Sequence, residues 1–171
     1  MEELKPTPGK FALNNGIYLG LAMILINVAL YVSGLVYDGV QWPNVIYYIL
    51  FPIVIFYTIS KFKKANANEL TIGFAIKVGL AVAIVSALVY VVYGLIFVYV
   101  IDPGFMDQMV EISREKMLER GDIPAEAVEQ QMKFVEMFTN PWVANTFWIA
   151  MSALFGLIYS LIGGLVMRSN K

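Results

Sequence analysis

Thr71–Ile101 reads TIGFAIKVGLAVAIVSALVYVVYGLIFVYVI, and this stretch decides the fold. Lys77 is its single charged residue. As helix it would be roughly 45 Å long at 1.5 Å per residue. That exceeds the roughly 30 Å hydrocarbon core of a bilayer, so the segment must tilt or protrude. Three more apolar runs, Asn14–Val36, Pro43–Ser60 and Trp142–Met167, are of membrane-spanning length. Four such runs occupy most of the 171 residues and leave little chain for a soluble domain. The expected fold class is therefore all-α: a single polytopic membrane domain over 1–171 with four transmembrane helices.

Composition agrees. Apolar residues make up 59% and charged residues 15%, with mean hydropathy +0.69. A soluble domain carries about 25% charge. A net charge of -1 gives no reason to expect a nucleic-acid partner. The chain has no Cys, which excludes disulfides, thiolate catalysis and zinc–thiolate sites. It has no His, which removes the commonest general base and transition-metal ligand. No phosphate loop, nucleophile elbow or paired acid/base set appears. The expectation is no cofactor, no metal and no enzymatic activity. The first apolar run is too long for a signal-peptide core, so it is expected to stay in the chain.

Between the third and fourth spans, residues 103–139 differ in kind. They are polar, Met-rich and helix-prone. Phe105, Met106, Met109, Val110, Ile112 and Met117 share one side of a helical wheel. Gly121 should stop that helix, and Asp122 and Pro124 should begin another, which Val128, Met132, Val135 and Phe138 continue at helical spacing. A helical hairpin is expected, and Asn140-Pro141 should cap the last span. The thioethers suit adaptable packing better than Cu(I), since no Cys or His accompanies them. Met109, Val128 and Met132 are the candidate partner surface. Asp107, Glu111, Glu115 and Glu119 recur every four residues and should form a solvated acidic ridge.

Basic residues set the orientation. Lys5, Lys10, Lys61, Lys63, Lys64, Arg168 and Lys171 fall on one side if the spans alternate. The positive-inside rule then places both termini in the cytoplasm and the hairpin outside. Trp42, Trp142 and Trp148 would form an aromatic belt at the outer interface.

Within the spans, small residues recur every four positions. Ala12, Gly16 and Gly20 do so in the first; Ala75, Gly79, Ala83 and Ala87 in the third; Ser152, Gly156, Ser160 and Gly164 in the fourth. Such ridges let helices approach closely. Either they pack the bundle, or one of them, most plausibly on the fourth helix, serves a homo-oligomer or a membrane-protein partner. Lys77 and Asn27 form the candidate intramembrane polar site. Lys77 can snorkel to the interface or mark an ion or lipid-headgroup site; Asn27 can make an interhelical hydrogen bond or line a cavity. Pro52 should kink the second span.

The chain resembles the uncharacterised bacterial membrane proteins grouped as domain of unknown function 4199. The resemblance rests on Asn15-Gly16-Ile17-Tyr18-Leu19-Gly20, on Leu70–Gly79 with its Lys77, on Asp102-Pro103-Gly104-Phe105 and on the charged helical excursion. It implies a four-helix architecture in a bacterial inner membrane and carries no known activity. The functional expectation is a non-enzymatic interaction or structural membrane protein, with a small oligomeric channel or transporter as the alternative.

Overall fold

In a computed structural model, residues 7–38, 42–121 and 124–169 are described. Six α-helices follow in order: α1 (Pro8–Val32), α2 (Trp42–Ala65), α3 (Ile72–Ile96), α4 (Phe105–Arg120), α5 (Ala125–Met137) and α6 (Pro141–Met167). A π-helical turn, Phe97–Ile101, extends α3. No strand occurs among the described residues. Four helical stretches are long and apolar enough to cross a membrane: Pro8–Val32, Val45–Ala65, Ile72–Ile101 and Pro141–Met167.

Boundaries differ from the sequence reading in informative ways. α1 starts at Pro8, six residues before Asn14, with a proline in its first turn. The early start packs Phe11 edge-on against Phe62 at 5.8 Å and buries Ala12 completely. α2 runs through Pro52 and on past Ser60 to Ala65, carrying Lys61, Lys63 and Lys64 as helical residues. Gly121 ends α4 in the left-handed conformation at φ 66°, as a helix-stopping glycine should. Pro124 stands at the N-cap of α5; Asp122 lies outside the described residues. The Asn140 side chain caps α6 by accepting from the Trp142 N–H at 2.9 Å.

α3 is the hub, packed against α1 on one side and α6 on the other, with α2 touching all three. The small-residue ridges explain the geometry. A Cβ on Gly16 would lie 2.7 Å from Val85 Cβ, and one on Gly20 would lie 2.7 Å from Val89 Cβ. Both helices advance by four residues between these contacts, so α1 and α3 run parallel. Gly79 abuts Ser160, Gly156 abuts Ala83, and Gly164 faces Ala75, so α3 and α6 run antiparallel. The ridge on α6 therefore faces α3 of the same chain and is not open to a second copy or a partner helix. Three buried hydroxyls are satisfied within their own helices: Ser160 donates to the Gly156 carbonyl, Ser86 to Ala83 at 2.9 Å, and Thr58 to Val54 at 2.7 Å.

The bundle has two chemically distinct ends. At the Lys63 end, Lys63 Nζ donates to the Met167 carbonyl at 2.8 Å, satisfying the C-terminus of α6. Ser169 ties the same end to the α2–α3 turn. Its N–H donates to the Leu70 carbonyl, and its hydroxyl accepts from the Leu70 N–H and donates to the Asn68 carbonyl. The turn holds Ala67 and Asn68 at φ 53° and 62°, a left-handed region that disfavours alanine. At the opposite end, here the Asp102 end, a set of aromatic and polar side chains gathers between the helices.

Candidate functional site

At the Asp102 end the π-turn adds one residue to the helical repeat. The Asp102 N–H donates to the Phe97 carbonyl at 2.9 Å, five residues back. Phe97 is thereby buried and meets Tyr31 edge-on at 4.9 Å and Phe105 edge-on at 5.1 Å. The Tyr31 hydroxyl donates to Asp102 Oδ2 at 2.9 Å, fastening α1 to the end of the π-turn. Lys116 Nζ donates to the Tyr37 carbonyl at 2.7 Å, which ties α4 to the segment after α1.

One layer deeper lies a cavity of about 200 Å³ lined by α1 (Met23, Ile26, Asn27, Leu30), α2 (Tyr47, Tyr48), α3 (Tyr90) and α6 (Trp148). A second, of about 140 Å³, shares Asn27 and Tyr90 with it and reaches Phe97, Phe105 and Asn145. Asn27 is held in place because the Tyr93 hydroxyl donates to its Oδ1 at 2.8 Å. The interhelical hydrogen bond and the cavity-lining position, read from the sequence as alternatives for Asn27, are both present.

Trp148 is displaced from its expected place. Trp42 and Trp142 are exposed near the ends of their helices, as belt residues should be. Trp148 instead lies between Tyr47 and Tyr90, with ring centroids at 5.5 and 5.3 Å. Its indole Nε1 is buried without a hydrogen-bond partner. Composition alone does not separate an interfacial tryptophan from one turned inward; the position of Trp148 nearly two turns inside α6 was the available signal.

Lys77 and Asn27 do not form a joint site. Lys77 is exposed on the outer side of α3 near the Lys63 end, with Nζ 6.0 Å from the Phe74 ring centroid. Asn27 lies in the other half of the bundle, and neither cavity it lines includes Lys77. An exposed lysine one to two turns from a helix end can extend its stem along the bundle and keep the ammonium at the headgroups.

α4 and α5 pack against each other. Val128 and Met132 are fully buried, so these two residues belong to a packed core and not to an accessible partner surface. Met109 is partly buried. What α4 and α5 do expose is Leu118 (51%), Phe134 (60%) and Met137 (50%). Phe134 also borders an open groove of about 410 Å³, lined with it by Met117, Ala127, Gln130, Gln131 and Val135. Arg114 bridges the two helices, pairing with Glu129 and, at 3.3 Å, with Glu136. The acidic ridge of Asp107, Glu111, Glu115 and Glu119 is exposed along its length. No cluster of three or more Asp or Glu suited to a metal ion exists among the described residues.

These features define a multi-pass helical membrane protein with a packed core to which all four long helices contribute and an aromatic cleft at one end. Its family can also be stated: the chain belongs to the family described as "Protein of unknown function (DUF4199)", which it matches over residues 14–169. No curated protein and no solved structure matches it.

Proposed function

We propose that this chain is a non-enzymatic interaction protein of the bacterial cytoplasmic membrane, contacting a membrane-protein partner through α4 and α5. The observation that carries the reading is the exposure of Leu118, Phe134 and Met137 on helices outside the four spans, with Phe134 on the wall of an open groove. Exposed apolar surface on an otherwise polar helix pair needs a cover. From Phe134, ring contacts of 5.2 Å, Phe134 to Phe138 and Phe138 to Phe147, lead to exposed Phe147 on α6. A partner seated there would touch the helix pair and the membrane span together. The close contacts of α1, α3 and α6 leave the Asn27-lined cavities at the Asp102 end, which weighs against a transport path through Lys77.

In this reading α4 and α5 form an extracytoplasmic hairpin and both termini are cytoplasmic. The Lys61–Lys64 cluster supports that orientation. Single cysteines at Glu111 and Lys64, both exposed, test it with an impermeant maleimide on intact cells. Labelling at Lys64 alone would invert the arrangement. The function is tested by gentle extraction of the tagged full chain and mass analysis. A stoichiometric membrane protein that is lost from Phe134→Glu but kept by Lys77→Ala supports the proposal. A chain that runs alone, unchanged by Phe134→Glu, removes it.

A further inference from the structure

We propose that the cleft lined by Asn27, Tyr47, Tyr90 and Trp148 binds a bilayer-borne neutral molecule through a carbonyl oxygen, with an apolar tail lying between α1 and α2. The inference uses none of the α4–α5 surface and stands apart from the interaction reading. Three observations lead to it.

The walls are apolar and aromatic: Met23, Ile26 and Leu30 on one side, the Tyr47–Trp148–Tyr90 ring stack on the other. The donors are left over. Trp148 Nε1–H is buried with no acceptor, and buried polar groups in proteins are almost always paired. The Asn27 Oδ1 accepts from Tyr93, so the amide nitrogen is its donor end. A ligand oxygen that accepts hydrogen bonds matches this set, whereas a ligand with only donors does not. Among the described residues no Asp, Glu, Lys or Arg lines the cleft, so a charged headgroup would find no counter-ion there.

Access and depth agree. Tyr48, 58% exposed, lies on the rim, so the cleft opens on the outer surface of the bundle, where lipid lies. Asn27 precedes the end of α1 at Val32 by five residues, about 8 Å along the helix. That depth is close to the edge of the hydrocarbon core, where acyl-ester carbonyls and the polar ends of dissolved lipophilic ketones reside. Both sources offer the same chemistry, a carbonyl oxygen on an apolar tail.

The test follows the Trp148 fluorescence of the full chain carrying Trp42→Phe and Trp142→Phe, reconstituted in phosphatidylcholine vesicles. The probe is decyl-benzoquinone dissolved in the bilayer, and the lipid is of either diester or diether type. Saturable quenching of Trp148 is expected in diether vesicles, against linear collisional quenching in a reference that retains only Trp142. Equal saturation in diester vesicles identifies a dissolved ketone as the ligand. Suppressed saturation there identifies the lipid ester. Asn27→Leu should weaken the half-saturation concentration about tenfold, the loss of one good hydrogen bond. Ile26→Phe fills the cleft without touching any hydrogen bond and should abolish saturation. Linear quenching of Trp148 in both lipids, or saturation that survives Ile26→Phe, overturns the proposal.

Discussion

Gly156→Ala should loosen the α3–α6 contact, and Ala83→Gly should restore it. A Cβ on Gly156 would collide with Ala83 Cβ, and apart from that atom its nearest neighbours are backbone at 3.8 and 3.9 Å. Two carbons need about 3.5–4.0 Å, so the helices must part by roughly 1 Å or more. Overpacking of this kind costs about 1–3 kcal/mol. Replacing a helical glycine by alanine returns about 1 kcal/mol through backbone entropy. The net expectation is a loss of up to about 2 kcal/mol by those same estimates. Gly94→Ala is the control, because its Cβ would meet only Asn145 Oδ1, at an ordinary 3.8 Å. It should be neutral or slightly stabilising. Reversible unfolding in mixed detergent, followed by circular dichroism, gives the free energies. The double-mutant cycle of Gly156→Ala with Ala83→Gly should show coupling of about 1–2 kcal/mol. Additive effects would refute the contact. Dissociation of a folded oligomer by Gly156→Leu would show that the ridge faces outward after all.

Other parts of the structure make separate predictions. Tyr93→Phe removes the hydrogen bond to Asn27 and should destabilise by about 0.5–1.5 kcal/mol in the same unfolding assay. Lys77→Leu, at an exposed position, should change stability by less than about 0.5 kcal/mol; a larger loss would mean Lys77 has a buried role. Ala67→Gly should raise the melting temperature, because relieving a left-handed alanine gains about 1–2 kcal/mol against a smaller entropy cost in the unfolded chain. Arg114→Ala removes ion pairs to Glu129 and Glu136 that are largely exposed, so it should cost at most about 1 kcal/mol, and less in high salt.

The spans, the ridges and several caps were legible because each rests on local chemistry. Small residues every four positions must share a face, and Gly121 and Asn140 act within one turn of where they stand. Where each ridge points was not legible. Gly156 looks the same in sequence whether it meets Ala83 of its own chain or a neighbour's helix. The early start of α1 is not legible because Lys10 interrupts the apolar pattern ahead of Asn14, while its stabilising partner, Phe62, is distant in sequence. Val128 and Met132 were placed on a surface because helical spacing identifies an apolar stripe but not what covers it. The cleft was half visible: Asn27 stands out as a polar residue in a span, whereas Trp148 differs from a belt tryptophan only in lying nearly two turns inside its helix. The π-turn had no signal, since Phe97–Ile101 suits an α-helix equally well.

The parallel pairing of α1 with α3 also bears on how the chain is made. Gly16 and Gly20 find their partners in Val85 and Val89, and α2 is synthesised in between. When α1 leaves the ribosome its small-residue face has nothing to close on. The first two spans must therefore enter the lipid and wait, side by side, until α3 arrives to dock against α1, and α6 closes on α3 last of all. Assembly is governed by the third hydrophobic segment, and a chain truncated after Ala65 would leave two inserted helices with an open glycine seam.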